Sequence, residues 1–366
     1  MAAGPTRRTA LAALGGVALS AAAPRAGWAG LGGARFLSSA RLPDGSHALI
    51  GLDDEGAECF RLALPGRGHA AAAHPVDPVA VAFARRPGDF AMALDCAEGR
   101  VIARLSAPEG RHFYGHGAFS ANGGTLFTTE NAYETGEGRI GIWDAADGFR
   151  RVGEIASGGI GPHDVKLVEE GAALVVANGG IRTRPDTGRE KLNLPTMRPN
   201  LAWISTADGA LREIAEPEPA LRLNSLRHLA VAGDLVAVGA QWQGEPDEEV
   251  PLLAIHRPGA GLVWAEAGIG GWTAMNAYVG SVAIDAIGAE IAATSPRGGV
   301  ALIFDAATGA VAGRAQAADI CGVAPLDTGF ATTTGAGIWM RRDAKGAPEQ
   351  AARHDLAFDN HLIPVG

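Results

Sequence analysis

Five histidines recur at one position of a repeated sequence unit, and they are the clearest indication of chemistry in the chain. The seven units carry, at this position, His69, His116, His163, His228, Gly280, Cys321 and His361. With ten histidines in 366 residues, about 0.2 of them would fall in seven chosen positions by average usage. Imidazole and thiol groups are metal ligands when they are unprotonated, and imidazole also transfers protons near neutral pH.

Three interpretations fit this register. The side chains line a water-filled channel, or they hold a transition metal, or they act as acid and base in hydrolysis. The metal interpretation makes iron, copper or zinc the candidate cofactor. Its ligands would be His69, His116, His163, His228 and His361, with Cys321 as a sixth. The other histidines lie off the register and are interpreted as surface or turn residues.

Long loops supply a second set of candidates. The inner strand of each unit runs away from its histidine and the second strand returns, so loops joining the second and third strands share the histidine face. Their candidate residues for binding at the channel mouth are Glu130, Tyr133, Arg182, Arg198, Trp242 and Arg297. Arginine can hold a carboxylate or a phosphate through paired hydrogen bonds. The longest insertion, at 178–200, is expected to cover the mouth.

Two carboxylates are candidates to orient the imidazoles. Glu130 is predicted to accept a hydrogen bond from a ligating ring, because its loop lies on the histidine face. Asp164 is predicted not to serve its neighbour His163, because adjacent strand residues face opposite ways.

Repeats of short apolar strands must position these residues. Seven segments share an apolar strand and a polar turn that closes on glycine, at Gly56, Gly99, Gly148, Gly209, Gly261, Gly309 and Gly346. Four short strands per unit predict an all-β fold, a seven-bladed β-propeller with four antiparallel strands in each blade. The first unit lacks an innermost strand, so the segment 359–365 is predicted to complete the first blade and close the ring.

The first 29 residues are predicted to be a twin-arginine export signal, which leaves residues 30–366 as one propeller domain. Arg7 and Arg8 precede a short Ala-rich stretch that is too weakly apolar to span a bilayer. Small-residue cleavage sites occur at 21–23 and near Ala29. The expected location is the periplasm, with no transmembrane segment after signal removal. There, Cys59 and Cys96 are the nearest pair in sequence for a disulfide.

Charge and motif content exclude several classes of function. A formal net charge of -9 argues against a nucleic-acid partner, because phosphate binding needs a basic surface. The sequence has no GxGxxG at a strand–helix junction, no Walker loop, and no CxxCH, HExxH or GxSxG motif.

Several segments carry a family resemblance. YGHGAFSANGGTLFTTENAYETGEGRIGIWD and GIGPHDVKLVEEGAALVVANGGI, together with QWQG, YVGSVAID, DNHL and the twin-arginine leader, resemble a bacterial propeller family, domain of unknown function 1513. The resemblance implies a periplasmic protein encoded beside imelysin-type iron-uptake components and a di-haem peroxidase-like protein. It supplies no catalytic residues. The architecture is also similar to the nitrous-oxide reductase propeller, whose histidine ring holds a copper cluster, and departs from it at Gly280 and Cys321.

The sequence therefore favours a periplasmic metal-binding propeller that serves the acquisition of iron or another metal. Other periplasmic metal-uptake components are its candidate partners. Two alternatives stay open: a metal-dependent lyase, hydrolase or oxidoreductase with its pocket at the same mouth, and a docking scaffold for uptake proteins.

Overall fold

Seven antiparallel sheets form the fold. The computed structural model describes residues 27–86, 89–188 and 190–365, and the twin-arginine segment lies outside them. Each sheet has four strand positions, and in the first sheet two short strands share the innermost one. The predicted seven-bladed β-propeller is confirmed. No helix in the described ranges is long and apolar enough to cross a membrane.

The strands of each blade follow one another from the innermost to the outermost position. Blade one contains β1 (Phe36–Arg41), β2 (His47–Leu52) and β3 (Glu58–Leu64). Blade two contains β4 (Gly68–Ala73), β5 (Val79–Ala84), β6 (Ala91–Asp95) and β7 (Arg100–Leu105). Blade three contains β8 (Arg111–Phe119), β9 (Thr125–Ala132), β10 (Glu137–Asp144) and β11 (Arg150–Ala156). Blade four contains β12 (Pro162–Val168), β13 (Ala173–Asn178), β14 (Asn200–Ser205) and β15 (Leu211–Ala215).

The remaining blades repeat this order. Blade five contains β16 (Asn224–Ala232), β17 (Leu235–Trp242), β18 (Leu253–His256) and β19 (Val263–Trp264). Blade six contains β20 (Ser281–Ile284), β21 (Glu290–Ser295), β22 (Val300–Asp305) and β23 (Val311–Gln316), preceded by a one-turn helix α1 (Gly271–Ala274). Blade seven contains β24 (Ile320–Pro325), β25 (Phe330–Thr334), β26 (Ile338–Arg342) and β27 (Pro348–Arg353).

The C-terminal segment closes the ring in the first blade. The short strands β28 (Ala357–Phe358) and β29 (Ile363–Pro364) both pair antiparallel with the inner edge of β1. Between them, the Asp359 N–H donates to the Ser39 carbonyl at 2.8 Å. The pairing supplies the innermost strand that the first unit lacks, so β1 has no open edge.

The apolar core lies between neighbouring blades. Every residue of β5, the second strand of blade two, is buried, because both faces of this strand are covered by adjacent sheets. At the closure, Trp339 of blade seven is fully buried against Phe36 and Ile50 of blade one. The outermost strands are largely exposed, as in β27.

Six of the seven predicted glycine turns have the expected positive φ, and the fifth unit differs. There the positive φ, 79°, belongs to Gly259 and not to Gly261. The Ala260 N–H donates to the Arg257 carbonyl, which makes Pro258 and Gly259 the central residues of the turn. A Pro-Gly pair favours a type II turn, whose second central residue needs positive φ.

Candidate metal centre and channel mouth

Irregular strand pairing marks the positions of the ring histidines. One extra residue interrupts the pairing of β4 with β5 around His69. Similar interruptions accompany the register histidines of blades three, four and five, and His361 lies between β28 and β29. Blade six, whose register residue is Gly280, pairs regularly over β20. Since a bulge re-aims side chains, these interruptions turn the imidazoles toward the channel.

The five imidazoles form one closed cluster, here called the histidine ring. Neighbouring ring centroids lie 4.7 to 4.9 Å apart in the order His69, His116, His163, His228, His361 and back to His69. His116 is also 4.8 Å from His361 across the cluster. Two triads have ligand nitrogens within 4.8 Å of one another, and His116 belongs to both; they are His69, His116, His163 and His116, His228, His361.

Asp164 fixes the orientation of His116. Its Oδ1 lies 3.3 Å from Nδ1 of His116, and both side chains are almost fully buried. The Leu229 N–H donates to Oδ2 at 3.0 Å, and Lys166 Nζ lies 3.5 Å from Oδ1. Burial alone would raise the pKa of Asp164, but Lys166, His116 and the Leu229 N–H outweigh it and hold the pKa below its usual range. An ionised carboxylate at Nδ1 leaves the lone pair of His116 on Nε2.

That lone pair points into the cluster. Nε2 of His116 lies 3.2 Å from Nε2 of His69. Two nitrogen ligands of one tetrahedral ion, each about 2.0–2.1 Å from it, are separated by about 3.3 Å. The same distance allows a hydrogen bond between the rings when His69 carries its proton on Nε2.

Other ring nitrogens are buried without a hydrogen-bond partner. Within the described residues these atoms are Nδ1 of His69, Nδ1 of His163, both nitrogens of His228 and Nε2 of His361. Buried polar atoms are nearly always satisfied in folded proteins. A metal ion or water in the channel would supply the missing partners of these nitrogens.

Four of the ring imidazoles are neutral at neutral pH, so each keeps one nitrogen lone pair. Burial lowers the pKa of four imidazoles well below the usual value, with neighbouring imidazoles contributing further; they are those of His69, His163, His228 and His361. A metal requires neutral imidazole, because a protonated ring cannot bind it.

A cavity of about 450 Å³ opens above the histidine ring. His69, His163 and His228 form part of its floor. Six cationic side chains line it, namely Arg67, Arg85, Arg86, Lys191, Arg227 and Arg297. The prediction that the loops joining second and third strands lie on the histidine face is thus confirmed, because those loops of blades two, four, five and six meet at this cavity.

A second cavity of about 310 Å³ lies on the other side of the ring. His116 and His361 face it, and His228 contributes to both cavities. Its remaining walls are mainly small apolar residues of the inner strands, with the Asp164–Lys166 pair as the charged exception. The histidine ring therefore separates a cationic mouth from a mainly apolar chamber.

Cys321 does not join the ring, contrary to the sequence expectation. Its thiol lies among buried apolar residues between blades seven and one, 3.5 Å from the Thr333 carbonyl and 3.8 Å from that of Phe358. Burial raises the pKa of this thiol to about 12, which disfavours the thiolate that a metal needs. Cys59 and Cys96 are both free thiols, so the structure contains no disulfide between them.

Glu130 was expected to bind at the mouth and to orient the imidazoles, but it neither lines the cavity nor contacts the histidine ring. It is fully buried within blade three, where Arg151 Nη2 lies 3.0 Å from Oε2. Burial raises the pKa of Glu130 to about 7 in spite of that arginine. Asp164 performs the orienting role instead, for His116 of the neighbouring blade.

The predicted mouth residues divide into two groups. Trp242 and Arg297 line the cavity. Tyr133 stacks on His112 with ring centroids 6.3 Å apart, and Arg182 Nη2 donates to the Glu134 carbonyl at 2.7 Å. Arg198 is exposed and pairs with Glu216 at 2.9 Å, so these three lie outside the cavity.

The register of the inner strands carries a signal for Arg67 and Asp319, which the positions of the loops do not indicate. Alternate strand residues share a face, so residues two positions before each register residue should surround the mouth. Those that line the cavity are Arg67, Tyr114, Tyr278 and Asp319. Asp359, two positions before His361, accepts from Arg67 Nε and Arg85 Nη1 at 2.5 Å each.

Comparison with known proteins supports the fold and identifies the family. Hydrazine synthase of Kuenenia stuttgartiensis has a similar structure, with a TM-score of 0.57 and 15% identity over 86% of this chain and 94% of that one. At this identity the similarity concerns the fold alone. No curated protein matches the chain. A family model described as a protein of unknown function, DUF1513, matches residues 62–365, and the chain belongs to that family.

Proposed function

We propose that this propeller binds a transition-metal ion in its histidine ring. The observation that carries the proposal is the meeting of five buried imidazoles, of which His116 is held by Asp164 with its Nε2 lone pair turned inward. The pairing of a carboxylate with a ligand imidazole is the usual support of a metal-binding histidine.

The donor set indicates which metals fit. Imidazole suits zinc, copper and iron, whereas magnesium and calcium prefer oxygen ligands. The five rings offer only nitrogen donors, and no described carboxylate belongs to either triad. Copper, zinc or iron is therefore the expected ion, bound by three or four of the rings.

The biological role that we propose is metal acquisition in the periplasm. It rests on the twin-arginine segment, which lies outside the described residues, and on the resemblance to proteins encoded beside imelysin-type iron-uptake components. The cavity gives the bound ion a route to solvent, since His69, His163 and His228 line it. A site that exchanges metal with uptake components needs such access.

An enzymatic role is the second candidate, and the same cavity is the observation that favours it. A volume of about 450 Å³ lies directly above the ring, which is enough for a small substrate. A metal-dependent lyase, hydrolase or oxidoreductase would place its substrate there. Turnover tests on metal-loaded protein separate this candidate from a carrier, and a docking scaffold would bind no metal in the ring at all.

Elemental analysis tests the proposal. The protein is produced without a polyhistidine tag, stripped with a chelator, and loaded with Zn²⁺, Cu²⁺ or Fe²⁺ before desalting. We expect about one tightly held ion per chain for the parent and for His47→Ala, which removes a histidine outside the ring. His116→Ala/His163→Ala should retain none, and retention at the parental level would refute the site.

A further inference from the structure

The cavity above the ring is strongly positive although the protein as a whole is negative. Among the described residues, six cationic side chains and one carboxylate, Asp319, line the cavity, while Asp359 pairs with two of the arginines. The formal charge of these side chains is six minus two, or +4, in a chain whose formal net charge is -9. Like charges gathered in one cleft repel one another, so an oppositely charged ligand would stabilise them.

Several of these cations have no carboxylate partner. Asp359 bridges Arg67 and Arg85, whereas Lys191, Arg227 and Arg297 make no ion pair within the described part of the chain. Arg227 is the extra residue of the blade-five bulge, and its Nε is buried without a hydrogen-bond partner. Arg227 is half-buried as a whole, and a ligand in the cavity could complete the hydrogen bonds of its guanidinium.

The cations are spread around the mouth. Arg85 and Arg86 follow β5 of blade two, Lys191 lies in the blade-four insertion, Arg227 in blade five and Arg297 in blade six. One small oxyanion would reach only a few of them at a time. A molecule with several separated anionic groups can engage several blades at once.

We propose that the mouth binds a small molecule with two or three carboxylate groups. Planar guanidinium groups match carboxylates through paired hydrogen bonds. The aromatic walls Tyr114, Trp242 and Tyr278 offer surfaces for its carbon skeleton. His69, His163 and His228 line the same cavity, so one carboxylate oxygen can also reach a metal in the ring. This last contact rests on the proposed metal site, whereas binding of the anion does not.

Titration calorimetry with citrate as the probe tests the anion site in chelator-stripped protein. Citrate should bind more tightly than acetate or inorganic phosphate, and its affinity should fall as salt is raised. Arg227→Gln/Arg297→Gln should weaken citrate binding by about tenfold or more. Arg198→Gln removes an arginine of the blade-four insertion that lies outside the cavity, and it should leave citrate binding unchanged.

Three outcomes would overturn the inference. Citrate could bind no better than acetate, phosphate could bind as tightly as citrate, or the double variant could bind like Arg198→Gln. The measurement is repeated in His116→Ala, which alters both triads but removes no side chain that lines this cavity, and citrate binding should persist there without metal. Failure of the metal site and failure of the anion site are thus separate results. In the parent, loading with Cu²⁺ or Zn²⁺ should tighten citrate binding about tenfold, and an unchanged affinity would contradict the shared contact.

Discussion

Asp164 Oδ1 lies 3.3 Å from His116 Nδ1, joining blade four to the histidine of blade three. The same carboxylate accepts the Leu229 N–H of blade five, so one side chain ties three inner strands together below the ring. His116 belongs to both ligand triads, which makes the orientation of its imidazole decisive for either arrangement of an ion.

Replacing Asp164 with asparagine should therefore weaken metal binding. The variant keeps an oxygen for the Leu229 N–H but loses the charge that holds the proton on Nδ1 of His116. Loss of such a supporting carboxylate typically costs about 10- to 100-fold in metal affinity. Competition titration with a chromophoric chelator measures the change, and circular dichroism checks that the fold is kept. Parental affinity in a folded variant would show that Asp164 does not support the site.

Acid should destabilise the metal-free protein in the range where unfolded histidines take up protons. Burial lowers the pKa of His69, His163, His228 and His361 in the folded state, so between those values and about 6.5 the unfolded chain binds more protons. Stability is then fully present above about pH 6.5 and declines as the pH falls, by at most about 1.4 kcal/mol per pH unit for each ring. Urea unfolding at pH 7.5, 6.5 and 5.5 measures this slope.

Glu130 acts in the opposite direction and provides the control. Its pKa is about 7 in the folded state against a usual value of 4.5, so its contribution to stability increases as the pH falls through that window. Glu130→Gln removes this opposing effect and should make the loss of stability in acid steeper. A stability that is flat or rises from pH 7.5 to 5.5 in Glu130→Gln would contradict the assignment of four neutral buried imidazoles.

The C-terminal strands should be essential for the closed fold. Phe358 is 4% exposed and packs with the apolar cluster between blades seven and one, and β28 and β29 cover the edge of β1. Phe358→Ala should cost about 3–5 kcal/mol in the free energy of unfolding, measured in urea. Val311→Ala, on the exposed strand β23, should cost far less. Equal effects would mean that the closure contributes little.

The predicted signal boundary after residue 29 conflicts with the packing of Trp28, so a processed chain should retain this residue. This side chain is 3% exposed, packs in the cluster of blades one and two, and donates Nε1–H to the His74 carbonyl at 2.8 Å. Cleavage after Ala29 would remove it, whereas cleavage after the small residues at 21–23 would keep it. We expect the intact mass of the processed chain to match an N-terminus that lies before Trp28. A chain that starts at Gly30 or later, with an unchanged melting temperature, would contradict this expectation.

The sequence predicted the blades and the ring position because both depend on repetition. Strand alternation and glycine turns recur seven times. Because five histidines share one position, a misplaced strand boundary in one unit does not change the predicted ring position. The sequence pattern did not predict which of the residues at this position would lie outside the histidine ring. Cys321 lies beside a bulge as His69 does, yet its small thiol packs into the closure between blades seven and one.

The cationic mouth was only partly predictable for a similar reason. Arg297 and Trp242 were found from loop position, whereas Arg198 and Arg182 belong to the same insertion as Lys191 and turn outward. Arg227 enters the cavity because a bulge adds one residue before His228. Bulges depend on local strand geometry, which a repeat pattern does not reveal.

Anomalous X-ray scattering from crystals of chelator-stripped protein soaked in Zn²⁺ or Cu²⁺ tests the central claim most directly. Data collected on either side of the metal absorption edge locate the ion without any assumption about its ligands. The structure predicts one dominant peak inside the histidine ring, about 2.0–2.1 Å from Nε2 of His116 and from two or more other ring nitrogens. Peaks confined to histidines outside the ring, such as His47, or an empty ring at saturating metal, would contradict it.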